Sequence, residues 1–395
     1  MQKLIYLGLL FSESSLDEAY KFSKKGVQMA THTFQENLID GFLQHKEIDL
    51  RVINVPPVGS FPLNYRIPFI KNEKWGKNKQ VGFLNLPIIK RFLQEKKIYK
   101  LVEKIIKEEN GRVDLLFYSL YDPFLKVAKR IKKKYPFVSI SMIQTDAVQG
   151  RDDMEKYMTP KRKREGDRLV EMAKCCDGFV LLAKDLKEPL EIGERPYTIV
   201  ECIANENLEP SEQKENEKNI CLYTGSIASA FNIRDLANAF NFLDNAELWI
   251  CGAGEESGYL QELSKTNSNI KYFGFLSKEQ VVDLQNQCDF LVNPRRPMGN
   301  YTKFSFPSKT VEYMMTGKPV VMYKLESIPD EYDEYLNYLT EAKPLGIAKE
   351  LESLFALDYS ELAQKAMRSR QFVLENKNGK VQTGKILDLI KSLKK

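Results

Sequence analysis

The sequence predicts an α/β protein made of two doubly wound domains, and three observations carry that expectation. Strand-like apolar runs alternate with amphipathic helical stretches twice along the chain, a polar segment divides the two runs, and 395 residues are enough for two cores.

The first run is read as a strand at 4–10, a helix at 26–43 and a strand near 50–53, then a Pro- and Gly-rich loop, VPPVGSFPLNYRIP. A long amphipathic helix follows at about 88–107, then a strand at 113–119, a helix at 123–134, a strand at 137–143, a helix near 163–173 and a strand at 178–182. The stretch NENLEPSEQKENEKN is polar and interrupted by Pro210, as interdomain linkers are. Strands in NICLYTGSI, AELWICGAGE, IKYFGFL, DFLVNPR and PVVMYK then alternate with helices, and tail helices at 362–374 and 385–393 close the chain. The expected division is 1–198 for the first domain, 199–218 for the linker, 219–375 for the second domain and 376–395 for a terminal helix.

Composition narrows the function. Apolar residues at 43% and charged residues at 29% are those of an ordinary globular chain. No apolar stretch is long enough to span a bilayer, and MQKLIYLGLL reads as a first strand, so a cytoplasmic protein is expected. Six cysteines without C-x-x-C spacing read as buried thiols, and two histidines give a zinc site little to work with. No metal and no cofactor are expected. Roughly 36 Lys and Arg face 26 Asp and Glu in residues 1–200, against roughly 23 and 28 in the rest. Such a basic first half suits an anionic membrane surface, or is simply a set of solvated helix faces. Nucleic acid is not expected, because aromatics are not interleaved with the cations.

The stretch from Asn293 to Lys324 carries the chemistry. A strand ends at Asn293 and Pro294, and a loop with Arg295, Arg296, Lys303 and Lys309 follows, with Ser308 read as the N-cap of a helix over 310–316. Cations and free backbone N–H groups at a strand's carboxyl end suit a phosphate. Upstream, Gly225 and Ser226 form a turn open to close backbone approach. Gly252 and Gly254 superficially suggest a dinucleotide fingerprint, but the third glycine, Gly258, is one residue late. Asp146 ends the strand SISMIQTD, where a carboxylate can orient a hydroxyl or balance a developing positive charge.

The residues FPSKTVEYMMTGKPVV resemble the nucleotide-sugar signature of family 4 glycosyltransferases, retaining enzymes of the two-domain GT-B fold. Glu312 matches that signature's second glutamate, which contacts the donor ribose, and Phe304 stands at the first. The Phe-Pro-Ser-Lys element resembles a branch associated with capsule and exopolysaccharide synthesis. The resemblance implies two Rossmann-like domains facing across a cleft, with a last helix crossing back to the first domain. It also implies a base-holding loop at Gly274, Phe275 and Leu276, and a glycine-rich loop at Gly26 near the donor phosphates and acceptor. The family's arginine after the turn glycine is Ser226 here and its lysine is Phe231, which leaves Arg295, Arg296, Lys303 and Lys309 to meet the diphosphate. Thr145 and Asp146 match positions near the acceptor, so Asp146 and Glu312 are the candidate catalytic carboxylates.

The resulting expectation is a metal-independent, retaining hexosyltransferase, peripheral on the inner face of the cell membrane. It would move a sugar from a nucleotide-diphosphate donor to a lipid-linked or soluble glycan acceptor in surface polysaccharide synthesis. The alternatives are a non-catalytic nucleotide-sugar-binding subunit of a transferase pair and, ranked below it, a dehydrogenase.

Overall fold

The computed structural model describes residues 2–24, 26–27, 29–109, 111–146, 159–212 and 216–393, without the side chain of Asn300. The chain divides into two compact units. The first comprises Met1–Ile203, Phe304–Phe306 and Asn378–Lys395, and the second comprises Ala204–Lys303 and Pro307–Lys377.

The first unit holds an eight-stranded sheet. Its spatial order is Tyr197–Ile199, Gly178–Leu181, Ser139–Gln144, Val113–Tyr118, Gln2–Gly8, Ile48–Asn54, Asn78–Gln80 and Glu73–Trp75, with only the last pair antiparallel. The strand Val113–Tyr118, VDLLFY, is buried along its whole length, because helices cover both faces of a parallel sheet. One face packs Ile5, Leu7, Leu115 and Phe117 beneath Ile98, Val102 and Phe124. The other packs Leu4, Tyr6, Leu116 and Tyr118 with Leu38, Ile386 and Ile390. The terminal helix Gly379–Ser392 lies on Met29–Leu43 at a glycine crossing, where a Cβ on Gly41 would come within 2.4 Å of the Gly379 carbonyl oxygen.

The second unit's six strands are all parallel, in the order Ile270–Tyr272, Ala246–Cys251, Asn219–Thr224, Phe290–Asn293, Val320–Tyr323 and Asn337–Leu339. Numbered along the chain, this is third, second, first, fourth, fifth, sixth: the order of a dinucleotide-binding sheet, which reverses between its first and fourth strands.

Several elements differ from the sequence reading. The helix expected at 26–43 begins at Met29, because Gly26 turns the chain in the left-handed region at φ +78°. Helices at Glu13–Phe22 and Pro344–Phe355 are additional. Ser308 is not an N-cap. Pro307 takes that place, its carbonyl accepting the Thr310 N–H at 2.9 Å, and Ser308 is the first residue of the helix Ser308–Met314. Asp289 precedes its strand and binds the Ile220 N–H at 2.7 Å, which ties the first and fourth strands at their starts. Of the expected linker, Ile199 ends an edge strand, Val200 to Ala204 are buried, and 213–215 lie outside the described residues. No described helix is long and apolar enough to cross a membrane.

Candidate functional site

In the second unit the first and fourth strands pair at Cys221 with Phe290 and at Leu222 with Leu291. Beyond that point Thr224 is served on this side by the hydroxyl of Tyr313 in place of a strand. It accepts the Thr224 N–H at 2.9 Å, donates to the Thr224 carbonyl at 3.1 Å and lies 3.2 Å from the Thr224 Oγ1. Tyr313 is fully buried. The helix Ser308–Met314 is thereby fastened to the strand end at the crevice where open α/β sheets bind ligands.

The turns that follow the first three strands stack on one another through backbone. The Gly225 N–H donates to the Cys251 carbonyl at 3.0 Å, Ile227 to Ala253 at 3.1 Å and Gly252 to Gly274 at 2.8 Å. A Cβ on Gly252 would fall 1.7 Å from the Gly225 carbonyl oxygen, and one on Gly254 2.3 Å from that of Ile227. Gly225, Gly252 and Gly274 hold φ of +153°, +146° and +69°. Only glycine satisfies both the space and the conformation at Gly252.

Lys309 lies beside the Gly225 turn, its Cε 3.8 Å from the place a Cβ on Gly225 would take. Its ammonium donates to Glu312 Oε1 at 2.7 Å, on the exposed side of the helix. Burial raises the Cys251 thiol to about 11, with the Lys309 charge opposing. Burial likewise pushes the Tyr223 phenol well up, aided by Cys251 and opposed by Arg295. The Tyr223 hydroxyl donates to the Ser226 carbonyl at 2.7 Å and steadies the turn. The Arg295 guanidinium stands 4.6 Å from the Tyr301 ring centroid and 5.8 Å from that of Phe231, the residue at the family's lysine position.

The structure therefore brings together Gly225, Ser226, Gly252, Gly254, Gly274, Arg295, Lys309 and Glu312. It does not add Arg296, which donates to Asn232, to Asp235 at 2.9 Å and to the Ala342 carbonyl at 2.9 Å. Arg296 borders a cavity of about 450 Å³ that Ser229, Met298, Tyr323 and Thr340 also line. Lys303 ends the short helix Gly299–Lys303, Ser308 is exposed at its helix start, and Phe275 and Leu276 extend beyond Gly274, with Phe275 exposed.

In the first unit the candidate carboxylate ends a hydrogen-bonded chain. The Tyr118 hydroxyl donates to Thr145 Oγ1 at 3.2 Å, and Thr145 donates to Asp146 Oδ2 at 2.9 Å. Ser305 Oγ approaches Asp146 Oδ1 at 3.3 Å, and Gln144 Nε2 binds the Asp146 carbonyl at 2.8 Å. Thr145 is buried and Asp146 exposed. Burial, with a further push from Asp146, raises Tyr118 to about 12 against the Thr145 hydrogen bond. Phe304 sits in this unit's apolar cluster. Gly26 is exposed, with no atom within 4 Å of where a Cβ would stand, and its carbonyl accepts from Ser23 Oγ at 2.7 Å. Buried His32 receives the Phe11 N–H at 3.5 Å, and burial lowers its basicity.

Tyr313, Tyr223 and Tyr118 escaped the sequence reading. Tyr313 follows Glu312 directly, and a bulky hydroxyl-bearing side chain beside the signature glutamate was the signal available. Among the described residues no three His, Cys, Asp or Glu converge as metal ligands would.

Residues 218–356 match the family described as glycosyl transferases group 1. Compared with curated proteins, the sequence matches none. Among solved structures, sucrose-phosphate synthase from Thermosynechococcus elongatus is similar over 100% of this chain and 99% of its own, with a TM-score of 0.66 and 13% identity. The E. coli trehalose-6-phosphate structure bound with UDP-2-fluoro glucose is similar over 98% of each chain, with a TM-score of 0.64 and 9% identity. HepE of Anabaena in complex with UDP is similar over 99% of this chain and 100% of its own, with a TM-score of 0.59 and 12% identity. The chain has the two-domain GT-B-like α/β fold, and the match over residues 218–356 supports a glycosyltransferase.

Proposed function

We propose that the protein transfers a sugar from a nucleotide-diphosphate donor to a glycan acceptor carried on a lipid, in the synthesis of a surface polysaccharide, with retention at the anomeric carbon. The observation that carries this reading is Lys309 lying beside the Gly225 turn, on a helix that Tyr313 locks to the same strand end. The Lys309 ammonium, beside the space that the glycine turns leave clear of side chains, would receive the diphosphate, and Glu312 would take the ribose hydroxyls.

As the glycosidic bond breaks, negative charge grows on the departing diphosphate. A fixed ammonium stabilises that charge more than it stabilises bound donor, which is where rate enhancement arises. This reading assigns the leaving charge to Lys309 and Arg295, without a metal. Asp146, held by Thr145 and Ser305, would orient the acceptor hydroxyl.

The test incubates the full chain with UDP-, GDP- and dTDP-sugars and follows nucleotide release, with product anomers read by NMR. The reading expects release from at least one donor, an axial or equatorial configuration equal to the donor's, and about a hundredfold loss for Glu312→Ala. Binding without release, with any acceptor, would instead identify a non-catalytic subunit, a role that the carboxylate missing at Phe304 favours.

A further inference from the structure

We infer that the first unit carries a face that seats on an anionic bilayer, built from two apolar loops and the start of a helix. The face deepens the reading of a lipid-linked acceptor and rests on it only for its purpose. Its binding is measured without turnover.

The loop between the strands Ile48–Asn54 and Phe69–Ile70 is a fixed structure. Tyr65 is buried and meets the Phe22 ring edge-on at 6.3 Å, and the Arg66 N–H donates to the Phe22 carbonyl at 3.0 Å. Buried Asn85 ties this loop to the next segment: its Nδ2 donates to the Gly59 carbonyl at 2.8 Å and its carbonyl accepts the Phe61 N–H at 2.9 Å. Phe69–Ile70 then pairs with Phe83–Leu84, and Lys90 at the helix start donates to the Val58 carbonyl at 3.0 Å.

From this scaffold large apolar side chains project into solvent: Leu63 is 74% exposed, Phe69 65%, Ile88 87% and Phe92 63%. Exposed apolar residues are common singly, but here four stand on segments bonded to one another. Ile88 also holds φ +67° and ψ −57°, a conformation unfavourable for a β-branched residue. With its side chain almost wholly exposed, burial inside the chain does not offset that cost.

The occupant follows from charge. Arg66, Lys71 and Arg91 are exposed within a few residues of these side chains, Lys71 pairs with Glu18 at 3.1 Å, and Arg91 reaches Glu165 at 3.7 Å on the basic helix Pro160–Ala173, which begins PKRKRE. Apolar tips interspersed in sequence with Lys and Arg fit the boundary of anionic headgroups and acyl chains. Both helices, Ile89–Glu108 and Pro160–Ala173, start at the carboxyl edge of the sheet, the edge that carries Thr145 and Asp146. A lipid-linked acceptor would be presented there.

The experiment floats the full chain with vesicles of phosphatidylcholine alone or of equal parts phosphatidylcholine and phosphatidylglycerol. Wild type is expected on the mixed vesicles and in much smaller amount on the neutral ones. Ile88→Asp with Phe92→Asp should lower partitioning about tenfold or more, and Lys161→Ala with Lys163→Ala by about fivefold per cation. Phe137→Asp changes an equally exposed residue at the opposite edge of the sheet, before Ser139–Gln144, and should change nothing. Thermal melts of each variant should match wild type. The inference is overturned if wild type ignores the mixed vesicles, if the paired Asp variant partitions as wild type does, or if Ile88 and Phe92 prove instead to hold a protein dimer in sedimentation. Donor release in solution, measured beside it, keeps the failure of this face distinct from a failure of the transferase reading.

Discussion

The second unit and the first unit each end a central strand in a polar site, but they build it by opposite means. At Gly225 and Gly252 the second unit removes side chains, stacks turns through backbone hydrogen bonds and sets one lysine beside the first of them. At Tyr118, Thr145 and Asp146 the first unit keeps side chains and relays hydroxyl to hydroxyl towards an exposed carboxylate. A turn cleared of side chains beside a cation suits a diphosphate. A carboxylate propped by hydroxyls suits an uncharged alcohol. Under the proposed function the contrast is a division of labour, with donor charge in the second unit and acceptor hydroxyl in the first.

The largest expected effect comes from placing a side chain in the backbone layer. Gly252→Ala puts a carbon where 1.7 Å separates it from the Gly225 carbonyl oxygen, so urea unfolding should show a loss of about 3 kcal/mol or more and nucleotide binding should vanish. Gly26→Ala in the first unit meets no atom within 4 Å, and only its positive φ opposes it, at about 1 kcal/mol. Equal losses at the two glycines would break the contrast.

Next come the cations. Lys309→Ala should lower kcat/KM for donor about a hundredfold, whereas Arg296→Ala, whose guanidinium serves Asn232, Asp235 and Ala342, should cost less than about tenfold. A reversed ranking in steady-state kinetics would move the diphosphate to the cavity that Arg296 borders.

Tyr313→Phe leaves the Thr224 N–H and carbonyl without their partner, which costs about 1–3 kcal/mol. If the hydroxyl also positions Lys309, donor KM should rise about tenfold while kcat changes less. A stability loss with unchanged KM would reduce Tyr313 to a structural clamp.

The smallest effect is a pH slope. Tyr118 titrates at about 12 in the folded chain against the ordinary 10.0, because burial disfavours its phenolate. The folded state therefore holds this proton when the unfolded state has lost it, and stability falls as pH rises from 10 towards 12. Tyr118→Phe should flatten that fall in alkaline melts.

The sequence showed the alternation, the strand ends and the glycine turns, because buried parallel strands are written as continuous apolar runs and turns as glycine. It did not show Glu13–Phe22, whose cap pairs Ser12 with Ser15 where a glutamate would have announced a capping box. Nor did it show that Arg296 and Lys309, thirteen residues apart in one basic stretch, serve different places, since only three-dimensional neighbours such as Asn232 and Gly225 separate them. Tyr313 was hidden for the same reason: its partner Thr224 lies 89 residues away.

The most direct test is calorimetric titration of UDP, GDP and dTDP into wild type, Lys309→Ala and Asp146→Asn. The account predicts that at least one nucleotide binds wild type, that Lys309→Ala weakens it about tenfold or more, and that Asp146→Asn leaves it unchanged. Absence of binding for all three, or an equal loss in Asp146→Asn, would contradict it.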